Sequence, residues 1–309
     1  MQPGDETKFT GASRAVALRA YAAVVLANTM LAFGPWLVRL ADVSPLSSGF
    51  WRLALAAPFL LLLTRVAGQP IPRLSRGMMA VIAIGGLCFA ADLGAWHTGI
   101  LHTKLANATL FGNFASFLLA AFALISSRTW PDRAQTAALL LAAVGAMLLL
   151  GRSYDVDRRY LTGDLLCILA GILYTGYLIA MNRARGMLEP IPILLISTVA
   201  GMAPLLLFAL ADGGQFWPDN WAPLLLLAIG SQVIGQGLMV YAMGHLPPLV
   251  IGLALLIQPF IAAVIGSLRY GERLGLVDAL GGLAICAALV LVRMSRSGAA
   301  APGRVDTAS

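Results

Sequence analysis

The sequence predicts an all-α integral membrane protein with ten transmembrane helices, arranged as two inverted five-helix repeats. Ten apolar stretches of about helix-spanning length fill nearly all of the 309 residues. The arginines fall almost entirely in the short gaps between these stretches. Hydrophobic residues make up 59% of the chain and charged residues only 11%, with a mean hydropathy of +0.84. A soluble domain carries about a quarter charged residues, so we expect no soluble domain.

The first five spans follow a polar N-terminal segment. At ~1.5 Å rise per residue, each span has about enough residues to cross a ~30 Å hydrocarbon core. No small-residue cleavage site follows the first span, so we expect no removable signal peptide. These spans are predicted at about 20–38, 46–66, 77–100, 103–126 and 134–150.

The second five spans are predicted at about 162–182, 190–210, 221–244, 247–270 and 274–293. Pro259 lacks an amide hydrogen and its ring crowds the carbonyl of Leu255, so the ninth helix should kink or unwind there. The tenth span is rich in small residues over 279–284. Small residues could pack a second copy or a helix of the same chain, which leaves both a monomer and a weak homodimer open.

The loop 151–162 is the most polar internal stretch and divides the chain into two sets of five spans. The predicted units are a tail at 1–19, repeats at 20–150 and 162–293, and a second tail at 294–309. An odd number of crossings inserts the second repeat upside down, as in many secondary transporters. Setting 98–126 against 241–269 pairs His102 with His245 and Phe117 with Phe260.

The basic residues predict the orientation. Of the 21 lysines and arginines, thirteen fall on the side of the N-terminus, seven on the other side and Arg52 within a span. This bias places both tails in the cytoplasm, for a multi-pass protein of a bacterial inner membrane. The charges are scattered singly and build no basic patch, so the net charge of +7 does not indicate a nucleic-acid partner.

Several runs of residues in both halves carry a family resemblance. In the second half they are GLMVYAMGHLPP at 237–248, LLIQPFIAA at 255–263 and YGERL at 270–274. In the first half they are FWRLALAAP at 50–58, WHTGI at 96–100 and ANATLFGNF at 106–114. Together these runs resemble the drug/metabolite transporter superfamily, specifically its EamA-type members, over about residues 20–293. The resemblance implies ten helices in two inverted repeats, a central substrate cavity and transport without nucleotide hydrolysis.

One departure from the family pattern lies in the first repeat. That repeat would usually carry a proline on its fourth span and an acidic residue at its end, but this chain has Ser116 and Thr129. Their counterparts in the second repeat are Pro259 and Glu272. A symmetric role for these two residues is therefore not implied.

Polar side chains cluster at one depth of the predicted bundle. Polar groups inside hydrocarbon are expensive, so each needs a partner or a function. The amides could merely bond neighbouring helices, but the convergence of these amides and Tyr174 from five spans favours a binding cavity for an amphipathic small molecule. The candidate substrate-binding residues are Asn28, Trp96, Asn113, Tyr174, Tyr177, Gln232, Gln236 and Gln258.

Two charged residues, Arg52 and Asp92, lie within spans at similar predicted depths. They could form a structural salt bridge, or a desolvated Asp92 could take up a coupling proton. The candidates for gating are Pro259 and His97, although a histidine near the outer mouth could also be a satisfied interfacial residue.

Signatures of enzymes and of cofactor sites are missing from the sequence. It has no GxxxxGK[ST] or HExxH motif, and Cys88, Cys167 and Cys286 show no CxxC spacing, so we expect no cofactor and no metal. The prediction is a secondary transporter of small organic metabolites that works by alternating access, and the resemblance implies amino acids or related compounds as substrates. The alternative is an intramembrane enzyme or lipid-modifying protein, which would need facing carboxylates or histidines at membrane depth. Whether a proton is coupled stays open.

Overall fold

The computed structural model describes residues 4–71, 73–103, 108, 111–128, 130–151, 158–270 and 275–299, and all secondary structure in these ranges is helical. Thr129, Glu272 and most of the predicted C-terminal tail lie outside the described residues. The first half contains α1 Gly4–Ala32, α2 Gly34–Leu40, α3 Pro45–Val66, α4 Arg76–His102, α5 Phe114–Ser127 and α6 Arg133–Gly151. Helix α1 therefore begins within the segment predicted to be a polar tail.

The second half opens with a short 3-10 turn, Arg158–Tyr160. Its helices are α7 Leu161–Arg185, α8 Pro190–Ala211, α9 Ala222–Met243, α10 Pro248–Leu255, α11 Ile257–Tyr270 and α12 Leu276–Ala299. The middle of α9, Leu227–Gln236, is a π-helix.

Several helix starts follow directly from local chemistry. The Ser44 hydroxyl accepts a 3.2 Å hydrogen bond from the Ser47 amide at the start of α3, and the Ser75 hydroxyl does the same for the Met78 amide at the start of α4. Prolines occupy the first turn of α2, α3, α8, α9 and α10. Amides in the first turn have no partner within the helix, so the missing amide hydrogen of proline costs no helical hydrogen bond there.

Within the described residues, six segments are long and apolar enough to cross a membrane: Ala15–Leu40, Pro45–Val66, Arg76–His102, Arg158–Arg185, Pro190–Ala211 and Ala222–Met243. Four shorter apolar helices lie at Phe114–Ser126, Arg133–Leu148, Pro248–Ala262 and Ala279–Val292. Large apolar side chains such as Leu62, Leu140 and Leu207 are exposed on the outside of the bundle, which lipid can cover. The all-α membrane fold is confirmed, and the count of ten crossings stays a prediction.

The packing of the helices repeats itself between the two halves. Helix α3 packs on α8, α6 on α12 and α5 on α10, and each of these pairs joins equivalent spans of the two halves. The contact of α4 with α7 has its counterpart in the contact of α1 with α9. A two-repeat chain whose halves are related by a two-fold axis would show this pattern.

Glycines allow the closest helix contacts between the halves. A Cβ atom on Gly86 of α4 would collide with the carbonyl oxygen of Ser197 on α8. A Cβ on Gly252 of α10 would lie 2.8 Å from the Ser116 carbonyl oxygen on α5, and one on Gly145 of α6 would lie 2.8 Å from that of Gly281 on α12. The small residues of the tenth span thus serve contacts within the chain.

The ninth span is broken where proline chemistry predicts a break. Helix α10 ends at Leu255 and α11 begins at Ile257, and between them the Leu256 amide donates a 3.2 Å bond to the Leu253 carbonyl. Pro259 follows in the first turn of α11, where it supplies no amide hydrogen to this region.

The fourth span turns at the equivalent position without a proline. Asn113 precedes α5, and the Ser116 amide donates a 2.9 Å bond to its carbonyl. The alignment that pairs Phe117 with Phe260 also pairs Asn113 with Leu256 and Ser116 with Pro259. The two halves therefore share the turn although only one of them has the proline.

Candidate functional site

A cavity lies between the two halves of the bundle. Its empty volume is about 700 Å³, a figure that includes the open space at its mouth. Its polar and charged walls come from Arg52, Asp92, Trp96, Asn113, Tyr174, Gln236 and Gln258. Apolar side chains, among them Leu31, Phe89, Leu93 and Leu255, complete the lining.

Five of the eight predicted substrate-binding residues line this cavity. They are Trp96, Asn113, Tyr174, Gln236 and Gln258. Asn28, Tyr177 and Gln232 do not line it, because each is fully buried behind the wall. Counting residues along a span gives depth in the membrane, but it does not distinguish a side chain in the cavity wall from one behind it.

Arg52 is held by a relay of side chains from the second half. Its Nε–H donates a 3.1 Å hydrogen bond to Gln232 Oε1, and Gln232 Nε2 donates a 3.0 Å bond to Thr198 Oγ1. The guanidinium carbon also lies 5.5 Å from the centroid of the Phe89 ring, a cation–π distance. Gln232 thus positions Arg52, and sequence reasoning did not find Thr198.

The direct salt bridge between Arg52 and Asp92, one of the two alternatives that the sequence left open for them, is not formed. Both side chains line the cavity, but within the described part of the chain they make no ion pair within 4.0 Å. Equal depth on neighbouring helices does not fix the direction of a side chain. The Arg52 Nε–H bonds to Gln232 rather than to Asp92. The carboxylate of Asp92 faces the cavity instead.

An aromatic stack supports another part of the wall. Tyr174 lies 5.8 Å from Tyr177 between ring centroids, and Tyr177 stacks on Phe89 at 4.6 Å. Gln236 Nε2 donates a 3.2 Å bond to the Tyr174 hydroxyl. Gln236 Oε1 is buried and has no hydrogen-bond partner among the described residues. This oxygen is therefore an unsatisfied acceptor on a residue of the cavity wall.

A second amide pair joins the first and ninth spans. Gln258 Nε2 donates a 2.9 Å hydrogen bond to Asn28 Oδ1, and Asn28 Nδ2 donates a 2.7 Å bond to the Val24 carbonyl. Asn28 therefore orients Gln258, which lies just beyond the break in the ninth span and immediately before Pro259. Pro259, one of the two gating candidates, is not part of the cavity lining.

The other gating candidate, His97, is buried away from the cavity. Its Nδ1 lies 2.7 Å from Ser48 Oγ and 3.2 Å from the Pro45 carbonyl oxygen. It is fully buried and does not line the cavity. These contacts fit a structural histidine that ties α4 to the start of α3.

Two backbone features of the site were not predicted. The π-helix at Leu227–Gln236 carries both Gln232 and Gln236, and such segments are frequent at functional sites. Pro35 opens α2 after a break at Phe33 and lines the cavity. The glycines at 230, 235 and 237 are the one sequence signal near the π-helix.

Comparison with known proteins identifies the family. The model of the EamA-like transporter family matches the chain twice, at residues 18–151 and 161–294. The chain belongs to the EamA-like transporter family. It is thus a membrane transporter of the drug/metabolite type, as the sequence resemblance predicted. Membership in a family of transporters argues against the alternative of an intramembrane enzyme.

Similar proteins include the threonine/homoserine exporter RhtA of Escherichia coli (strain K12), which is 32% identical over 169 residues. That match covers 54% of this chain and 56% of RhtA, so the chain spans about half the length of the curated exporters it matches. An uncharacterized transporter of Archaeoglobus fulgidus is 23% identical over 285 residues, covering 87% of this chain and 96% of the relative.

A solved crystal structure shares the fold. It matches with a TM-score of 0.76 at 17% identity and covers 93% of this chain and 99% of its own. At this identity the likeness concerns the fold alone.

Proposed function

We propose that this EamA-like protein is a secondary transporter that moves small organic metabolites, amino acids or related compounds, across the inner membrane. The observation that carries the proposal is the cavity, whose polar walls come from both halves of an otherwise apolar bundle. Transporter sites typically lie at the interface between repeats. The similarity to exporters named for threonine and homoserine supports amino acids as the substrate class.

We further propose ten crossings in two inverted repeats, with both termini in the cytoplasm. The symmetric packing of the halves and the equivalent turns at Asn113 and Leu256 support the inverted arrangement. Two halves that pack through small residues around a shared cavity can rock against each other, which is the basis of alternating access. The protein is a monomer or a weak homodimer.

The proposed transport has two forms, a proton-coupled carrier and a passive facilitator. Asp92 is the membrane-embedded acid that faces the cavity, and such residues often form proton relays. A passive facilitator would instead use Asp92 only to bind substrate.

The experiment is counterflow into vesicles that contain the purified protein and no nucleotide. Vesicles loaded with unlabelled metabolite should accumulate the labelled form from outside, and a panel of amino acids and organic acids would identify the substrates. An imposed pH gradient should drive net uptake only if a proton is coupled. Absence of counterflow for every amino acid in the panel would refute the proposed substrate class.

A further inference from the structure

Two side chains of opposite charge, Arg52 and Asp92, line the same cavity without forming an ion pair. Arg52 and Asp92 are 3% and 8% exposed, so both are more than nine-tenths buried. Charges buried in a bilayer are expensive unless something compensates them. Within the described part of the chain no ion pair joins them, so each keeps capacity for a further partner.

The remaining donors of Arg52 can bind an anion. Its Nε–H is taken by Gln232, while its terminal nitrogens make no hydrogen bond to a described residue. The contact with Phe89 and the bond to Gln232 hold the guanidinium at the cavity wall. A fixed guanidinium with two free nitrogens matches the two oxygens of a carboxylate.

Asp92 is the complementary group for a cation. Its carboxylate accepts no hydrogen bond from a described residue, and it faces the cavity. Phe89, Leu93 and Trp96 lie within one turn of it on α4 and line the cavity too. An ammonium group can donate to the carboxylate while the apolar part of the molecule rests on these side chains.

We propose that Arg52 and Asp92 together bind the carboxylate and the ammonium group of one zwitterionic amino acid. This inference rests on the proposed function and names the chemistry by which the cavity selects its substrate. Of the described residues that line the cavity, only these two carry charge, so the lining is neutral overall. A zwitterion with a neutral side chain compensates both charges. An amine leaves Arg52 uncompensated, and a carboxylic acid leaves Asp92 uncompensated.

The test is competition against counterflow of labelled L-threonine in vesicles that contain the full-length protein. The competitors are unlabelled L-threonine, its decarboxylated analogue isopropanolamine and its deaminated analogue β-hydroxybutyrate. Each analogue should compete at least about tenfold less well than L-threonine, because a charge-assisted interaction is lost and a buried charge is left behind. Equal competition by either analogue overturns the proposal while the transport function stands. If no amino acid moves at all, the proposed function fails and this inference fails with it.

Variants of Arg52 and Asp92 test which group of the substrate each side chain binds. Asp92→Asn should abolish most of the advantage of L-threonine over β-hydroxybutyrate and keep its advantage over isopropanolamine, and Arg52→Gln should give the reverse pattern. A purely structural role would lower transport without this crossed pattern. Asp164→Asn is the matched control, because Asp164 is also 8% exposed but accepts a 2.6 Å bond from Thr103 outside the cavity. If Asp92→Asn leaves the ratio of competition by L-threonine to that by β-hydroxybutyrate unchanged, Asp92 does not bind the ammonium group. If a variant folds poorly, competition in the wild-type protein still decides whether a zwitterion is preferred.

Discussion

Gln258 and Asn28 are 230 residues apart in the sequence and share a hydrogen bond of 2.9 Å. The bond joins the first span to the second half of the broken ninth span. Gln258 lines the cavity and Asn28 lies behind it, so one amide faces the cavity while the other fixes its orientation. The contact therefore couples a helix of each half at the edge of the cavity.

The first prediction concerns this amide pair. Asn28→Ala and Gln258→Ala should each lower the thermal stability of the purified protein, because each leaves a polar group in the bundle without its partner. The double variant should lose less than the sum of the two, with a coupling energy of about 0.6 to 1.7 kcal/mol. A thermal unfolding series in detergent measures this cycle. Strict additivity would show that the bond contributes nothing.

The second prediction concerns the relay that positions Arg52. Gln232→Leu removes the acceptor of the Arg52 Nε–H bond, so it should reduce vesicle transport by about tenfold or more. Thr198→Val removes only the bond behind Gln232 and should have a smaller effect. Initial transport rates at equal amounts of folded protein provide the comparison. Wild-type rates in Gln232→Leu would contradict the positioning role.

The third prediction uses two glycines of the same helix. Gly86→Ala should destabilise the protein by about 1 to 3 kcal/mol, because the added methyl group meets the Ser197 carbonyl oxygen and the Cβ of Ala200. Gly77→Ala is the control, since nothing lies within 4 Å of a Cβ atom at Gly77. Melting temperatures of both variants measure the difference. Equal stabilities would argue against the close contact of α4 with α8.

The fourth prediction is topological. Single cysteines at Arg158 and Met187 should be labelled by an impermeant reagent from opposite sides of the membrane, because α7 between them is about 38 Å long. Met187 is 75% exposed and suits labelling, whereas Arg185 donates hydrogen bonds to the Val240 and Leu188 carbonyls. The background should lack Cys88, Cys167 and Cys286. Labelling of both positions from one side would refute the proposed topology.

Much of the fold could be predicted because lipid imposes simple rules on the sequence. Apolar length marks the spans, and the missing amide hydrogen of Pro259 marks the break in the ninth. The turn at Asn113 has no such marker, since the chain has Ser116 where the second half has proline. It forms in the packed bundle, where α10 approaches the Ser116 carbonyl through Gly252.

The site could be predicted only in part, because depth and direction are separate quantities. Residue counting predicted Gln232, Gln236 and Gln258 for the substrate site, and of these Gln236 and Gln258 line the cavity while Gln232 lies behind it and bonds to Arg52. The difference lies in the direction in which side chains project from their helices. Direction depends on helix packing and on the π-helical segment, which shifts the rotation of every residue after it.

Substrate is proposed to pass through this cavity. Counterflow of L-threonine in a variant whose cavity is filled by a larger side chain tests this most directly. Ala262 lines the cavity, so Ala262→Phe should abolish counterflow while the protein still folds. Ala137→Phe, on an exposed face of α6, is the control of equal size and should leave counterflow unchanged. The account predicts exchange in the wild type and the control and none in Ala262→Phe. Exchange at the wild-type rate in Ala262→Phe would contradict it.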